Sequence, residues 1–133
     1  MRPEHITGAT TGGVRNILRL EGLCVLIMAT ACYSQYGQDA ALFLAPDLAF
    51  AAYLLGPRVG AAAYNLTHSY LGALACLGCL GCGLFLPHAL WLAAGLIWCA
   101  HIGFDRALGY GLKYARGFGF THLGRIGKQA AER

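Results

Sequence analysis

A chain of 133 residues has room for one domain, and 57% hydrophobic against 12% charged residues departs far from the roughly one-quarter charged share of soluble domains. A soluble fold of this size could not hide so much apolar surface. The formal charge of +4 does not mark a nucleic-acid binder, because the basic residues flank apolar blocks and form no stripe interleaved with aromatic rings.

The N-terminal stretch MRPEHITGATTGG is polar and glycine-rich, and the first apolar run lacks a small-residue cleavage site, so no removable signal peptide is expected. A bilayer core of about 30 Å needs roughly 20 apolar residues as helix. The first block that meets this, residues 15–36, carries Glu21 as its acidic intruder. The second, 40–55, is shorter, holds the Pro46-Asp47 pair and ends at the Gly56-Pro57-Arg58 turn. The third, 59–86, contains the polar insert Tyr64 to His68, and Pro87-His88 separates it from the fourth, 89–114, which passes through His101 and Asp105. A glycine-rich, basic tail at 115–133 is expected as a surface loop or flexible end. The spacing therefore predicts an all-α, polytopic, four-transmembrane-helix bundle forming a single integral membrane domain over 1–133.

Orientation follows from the lysines and arginines, because cytoplasmic loops carry the positive excess. Arg2, Arg15 and Arg19 precede or open the first helix, and Arg58 lies between the second and third. Arg106, Lys113, Arg116, Arg125, Lys128 and Arg133 close or follow the fourth. Those are all ten, and the turns near Gln35 to Asp39 and at Pro87-His88 have none, which predicts both termini on the cytoplasmic side. The six cysteines, Cys24, Cys32, Cys76, Cys79, Cys82 and Cys99, fall in apolar stretches and read as small buried packing residues. Spacing of the Cys76, Cys79 and Cys82 run suits a helical stripe better than a thiolate metal site. Glycines within the spans, Gly72, Gly78, Gly95 and Gly103 among them, allow close helix approach.

Each ionisable side chain near a bilayer centre costs roughly 2.5 to 3.5 kcal/mol on insertion scales. Glu21, Asp47, His68, His101 and Asp105 all fall inside the expected spans, with Asn65 and Arg106 beside them. At 1.5 Å per residue from the nearest flanking basic residue, the five lie ~9 to ~18 Å deep, in one layer of the cytoplasmic half. Spacing places His101 and Asp105 (i, i+4) on one side of their helix, and Asn65 and His68 (i, i+3) on one side of theirs. One Glu, two Asp and two His at one level supply ligands that suit zinc, iron or manganese, in a bundle of the kind that builds metal sites between facing helices. Three readings stay open. The cluster could bind a divalent metal, with hydrolytic or redox chemistry; it could carry protons, ions or a small solute; or it could lock the helices of a non-catalytic scaffold. Glu-x-x-His repeats, serine or cysteine nucleophile motifs and a phosphate-binding loop are absent. His5 and His88 sit at an end and a turn and receive no role.

The strings LRLEGL, APDL, GPRVGA, YNLTHSYL, HIGFDRALGYGLKY and THLGRIGK cover most of the chain. In them the sequence resembles a bacterial family of small membrane proteins catalogued as domain of unknown function 4260. The resemblance implies a multi-pass protein of the bacterial inner membrane without an assigned activity. It implies motif positions at Glu21, Asp47, Asn65, His68, His101, Asp105, Arg106, Tyr110, Lys113, Tyr114, Thr121 and His122. Residues 115–120 depart from the family pattern, which would have a proline after the tyrosine and an acidic residue before Thr-His. Tyr110, Lys113 and Tyr114 suit the headgroup level as interface anchors. A functional alternative folds Thr121 to Leu123 back over the cytoplasmic mouth of the bundle. The expected partners are the lipid bilayer, a second copy of the chain and a small-molecule or lipid substrate, with no nucleic acid.

Overall fold

The computed structural model describes residues 10–36, 40–75 and 88–127. The Cys76, Cys79 and Cys82 run, His5, Pro87 and the last six residues lie outside them. The described chain is mostly helical. Helix α1 spans Gly12–Tyr36, a 3-10 helix spans Ala40–Leu55, α2 spans Pro57–His68, residues 70–75 are helical, and α3 spans His88–Leu108. A two-stranded antiparallel hairpin follows, β1 Phe120–Thr121 and β2 Gly124–Arg125. Among the described residues one helix, Gly12–Gln35, is long and apolar enough to cross a membrane, and a shorter apolar helical stretch covers Phe43–Leu55.

Three elements differ from the expected spans. The second block winds as a 3-10 helix with Pro46 inside it. Pro46 has no N–H to continue an α ladder, and the tighter winding eclipses residues three apart. Leu44, Asp47, Phe50 and Tyr53 are thereby stacked in one row. Phe50 packs on Tyr64 with ring centroids 5.3 Å apart, and Tyr53 lies against Gly60.

The third block is not continuous. Helix α2 stops at His68 because Ser69 is extended (φ −93°, ψ 156°). The carbonyls this leaves without helical partners are taken by α3: Trp98 Nε1 donates to Thr67 O at 2.6 Å, and Arg106 Nη2 to His68 O at 2.8 Å.

The fourth helix ends at Leu108, short of the expected Tyr114. Gly109 adopts φ 91°, the left-handed conformation that an L side chain rarely takes. Tyr110 N then donates to Asp105 O at 2.8 Å and Gly109 N to Arg106 O at 3.0 Å. This six-to-one and five-to-two pairing closes the helix as a Schellman motif.

Beyond it the chain folds back instead of trailing. Thr10 N donates to His122 O at 2.8 Å, Arg15 Nε donates to Leu123 O, and Arg19 Nε donates to Ala107 O at 2.9 Å. Leu123 and Thr121 are buried as a result.

Helices α1 and α3 cross where Gly22 meets Gly103. A Cβ on Gly103 would stand 2.6 Å from Gly22 O and 2.7 Å from Leu26 N, both backbone atoms that cannot swing away. Gly103→Val should therefore force the helices apart and lower stability by about 1 to 3 kcal/mol, the usual cost of overpacking. Thermal melting in detergent checks this against Gly13→Ala, whose added Cβ meets nothing within 4 Å. Equal midpoints for the two variants would contradict the crossing. Cys24 and Cys32 are exposed, not buried as expected, because they lie on the side of α1 turned away from this contact.

Candidate metal centre

Four side chains from three elements converge on one point. The 3-10 row brings Asp47, the last turn of α2 brings His68, and the i, i+4 pair on α3 brings His101 and Asp105. One ligand atom from each lies within 4.8 Å of all the others. His68 Nε2 is 3.1 Å from His101 Nε2, 3.3 Å from Asp47 Oδ1 and 3.3 Å from Asp105 Oδ2. His101 Nε2 is 3.3 Å from Asp47 Oδ1 and 3.6 Å from Asp105 Oδ2. Zinc bonds of 2.0 to 2.1 Å in a tetrahedron require ligand atoms about 3.3 to 3.4 Å apart, and the five separations that involve an imidazole, 3.1 to 3.6 Å, lie close to that edge length.

Protonation reinforces the geometry. His68 Nδ1 lies 3.0 Å from Tyr64 O, and a carbonyl only accepts, so this nitrogen carries the ring proton. His68 Nε2 is then a bare lone pair aimed at two carboxylate oxygens and a second imidazole. Lone pairs at 3.1 to 3.3 Å repel unless a proton or a metal cation sits among them. Metal-ligating histidines usually donate their other ring N–H to a carbonyl or carboxylate in this way, which fixes tautomer and ring orientation.

The surrounding side chains hold the four in place. The Tyr64 ring stacks on His68 at 3.7 Å between centroids and 6° between planes, and its hydroxyl donates to Asp105 Oδ2 at 3.2 Å. Phe43 meets the edge of His101 at 5.1 Å. His68 and His101 are buried, Asp105 nearly so, and Asp47 keeps 35% of its side chain exposed. The centre is thus closed on three sides and reached past Asp47.

Among the residues named from sequence, Glu21 does not join. It is exposed on α1 and lines a separate groove. Gly22, its neighbour, is the residue that faces α3, and successive helical residues point ~100° apart, so Glu21 turns away from the centre. Asn65 also serves elsewhere: its Oδ1 accepts from Lys113 N at 2.6 Å and its Nδ2 donates to Lys113 O at 2.8 Å. Arg106 spans Tyr110 O at 3.0 Å and His68 O, joining the tail to α2.

Lys113 is buried with Nζ 3.8 Å from the Phe118 ring centroid and 4.8 Å from that of Tyr64. Burial pushes its amine down to about 8, against a partial upward pull from Asp105. Tyr110 is exposed, and Tyr114 N donates to Phe120 O at 2.8 Å. Thr121 Oγ1 donates to Gly124 O at 2.7 Å inside the hairpin. His122 Nδ1 accepts from Leu112 N at 2.8 Å, and burial, then the Arg106 charge, lowers its basicity.

Sequence reasoning missed Tyr64, Trp98 and Thr67. The i, i+4 spacing of Tyr64 and His68 was the available signal for the first. The other two act through backbone contacts that spacing does not announce.

Residues 15–126 match the family model described as Domain of unknown function (DUF4260), well over half of the chain. No curated protein and no solved structure matches it.

Proposed function

The chain belongs to the DUF4260 family, and on that premise we propose that it is a multi-pass membrane protein holding one divalent transition metal, zinc first, on Asp47, His68, His101 and Asp105. The observation that carries this reading is the convergence of two imidazole and two carboxylate donor atoms within 4.8 Å of one another, each carboxylate oxygen 3.3 to 3.6 Å from both imidazole nitrogens. Four N and O donors complete a zinc shell, whereas iron or manganese would take further oxygens from water or substrate. Asp47 has the most exposed side chain of the four, so a substrate would approach from its side. Zinc held by these residues would supply Lewis acidity and would lower the pKa of a bound water.

Membrane residence is supported by the outer surface. Ile27 is 59% exposed, Met28 69%, Leu48 78% and Leu54 89%, large apolar side chains that lipid would cover. The hydrogen bonds from Thr10 and Arg15 to the tail bring the start of α1 and the residues after α3 to one end, as an even number of spans requires. Arg15, Arg19, Lys113, Arg116 and Arg125 lie at that end, and a positive excess of this kind supports a cytoplasmic orientation for it.

Elemental analysis of protein purified without chelators tests the reading. About one zinc per chain is expected, on the stoichiometry of a four-ligand site. Metal-free protein that takes up no zinc in a titration would end it.

A further inference from the structure

A second candidate site lies beside α1, apart from the Asp47, His68, His101 and Asp105 cluster. Between α1, helical residues 70–75 and the tail runs a cavity of about 600 Å³. Ile17, Leu20, Cys24 and Val25 form its apolar wall, at the i, i+3, i+7, i+8 spacing of one face of α1. Its polar end is made by Glu21, Tyr70, Arg106 and His122. None of the four proposed zinc ligands lines it, so this site stands apart from the metal reading.

Arg106 is 8% exposed, yet its two protein partners, the carbonyls of Tyr110 and His68, are neutral. Among the described residues no carboxylate lies within ion-pair distance of it. A buried guanidinium with five donors, two of them used, calls for an anion. His122 adds a donor, since its Nδ1 accepts from Leu112 and the ring proton therefore sits on Nε2. Glu21 lines the same groove, exposed, and likewise has no cation at ion-pair distance among the described residues. Two opposite charges thus share one apolar-walled groove without meeting each other.

We infer that this groove binds a zwitterionic phospholipid, with the phosphate on Arg106 and His122, the ammonium on Glu21 and an acyl chain along the α1 wall. A purely anionic lipid would leave Glu21 facing its negative charge, and a neutral one would leave Arg106 unneutralised. Apolar contact alone would not distinguish among head groups, so head-group preference is the readout that separates this site from general lipid solvation of α1.

The test titrates the purified full chain in detergent with four probes: dioctanoyl phosphatidylethanolamine, dioctanoyl phosphatidylglycerol, dioctanoylglycerol and inorganic phosphate. Native mass spectrometry reads the bound fraction. The ethanolamine lipid should bind about tenfold or more tighter than either other lipid, the scale of one charge-assisted hydrogen bond. Phosphate alone should not saturate the site. Glu21→Gln, at an exposed position that does not threaten the fold, should remove the preference for the ethanolamine lipid over the glycerol lipid. Equal binding of dioctanoylglycerol, saturation by phosphate at the same concentration, or an unchanged preference in Glu21→Gln would each overturn the inference.

Discussion

His101→Ala protein should lose its zinc, with affinity lowered by more than about 100-fold, and its melting temperature should no longer respond to a chelator. The first half follows from ligand count. Loss of a partner outside the coordination shell already costs 10 to 100-fold in metal affinity, and His101 Nε2 is itself one corner of the four-atom set. The second half separates a metal centre from a hydrogen-bonded lock. If zinc binds only the folded chain, wild-type stability should drop when chelator strips it, by RT ln(1 + [L]/Kd). Without the ion, His68 Nε2 and the two carboxylates face one another with too few protons among them. Removing His101 relieves part of that repulsion. In chelator the variant should therefore melt no lower than wild-type protein, apart from the cavity left by the ring.

A structural lock predicts the reverse. There, His101 would donate to a carboxylate in the metal-free protein, and its removal would destabilise equally with or without chelator. Parallel melts of both proteins, with zinc and with chelator, decide between the two. Glu21→Gln serves as the control that keeps its zinc, since Glu21 lies outside the cluster.

Asn65→Leu should release the tail while leaving the zinc donors in place. Asn65 fills both backbone valences of Lys113, accepting from its N–H and donating to its carbonyl. Leucine has nearly the same volume and can do neither. Each abandoned polar group costs about 1 to 3 kcal/mol when it stays dry, so the local penalty for the two is roughly 2 to 6 kcal/mol. The segment can escape that penalty by undocking, which exposes the buried Lys113 and loosens the backbone around the already exposed Arg116 for trypsin.

Limited proteolysis should therefore show cleavage in the variant at protease levels that leave wild-type protein intact, with zinc content near one per chain. The remaining anchors would not prevent this, because Arg15 and Thr10 hold Leu123 and His122, on the far side of those sites. Unchanged proteolysis would mean that the Asn65 clasp contributes little to tail docking.

The sequence singled out Glu21, Asp47, His68, His101 and Asp105, because charge in an apolar block is expensive enough to be conspicuous, and the structure brings the last four together. The i, i+4 spacing of His101 and Asp105 already placed them on one face. Family membership was legible as well, through strings such as HIGFDRALGYGLKY. The helix stop at Gly109 was also within reach, since glycine just past an apolar-periodic run is the standard termination signal. Continuing the fourth helix to Tyr114 overlooked it.

What the sequence by itself determined is composition and local period: an apolar, mostly helical chain whose few buried charges must find partners. Which charges meet was decided only in three dimensions. The Gly22 and Gly103 crossing sets the rotation of α1, and that rotation sends Glu21 outward, a matter of backbone contact that no periodicity encodes. Likewise Asp47 reaches the centre through a 3-10 row whose phase depends on Pro46 and on the packing of Phe50 and Tyr53 against α2. Helical phase is a relation between neighbours in space, and a side chain's address in the sequence leaves it open.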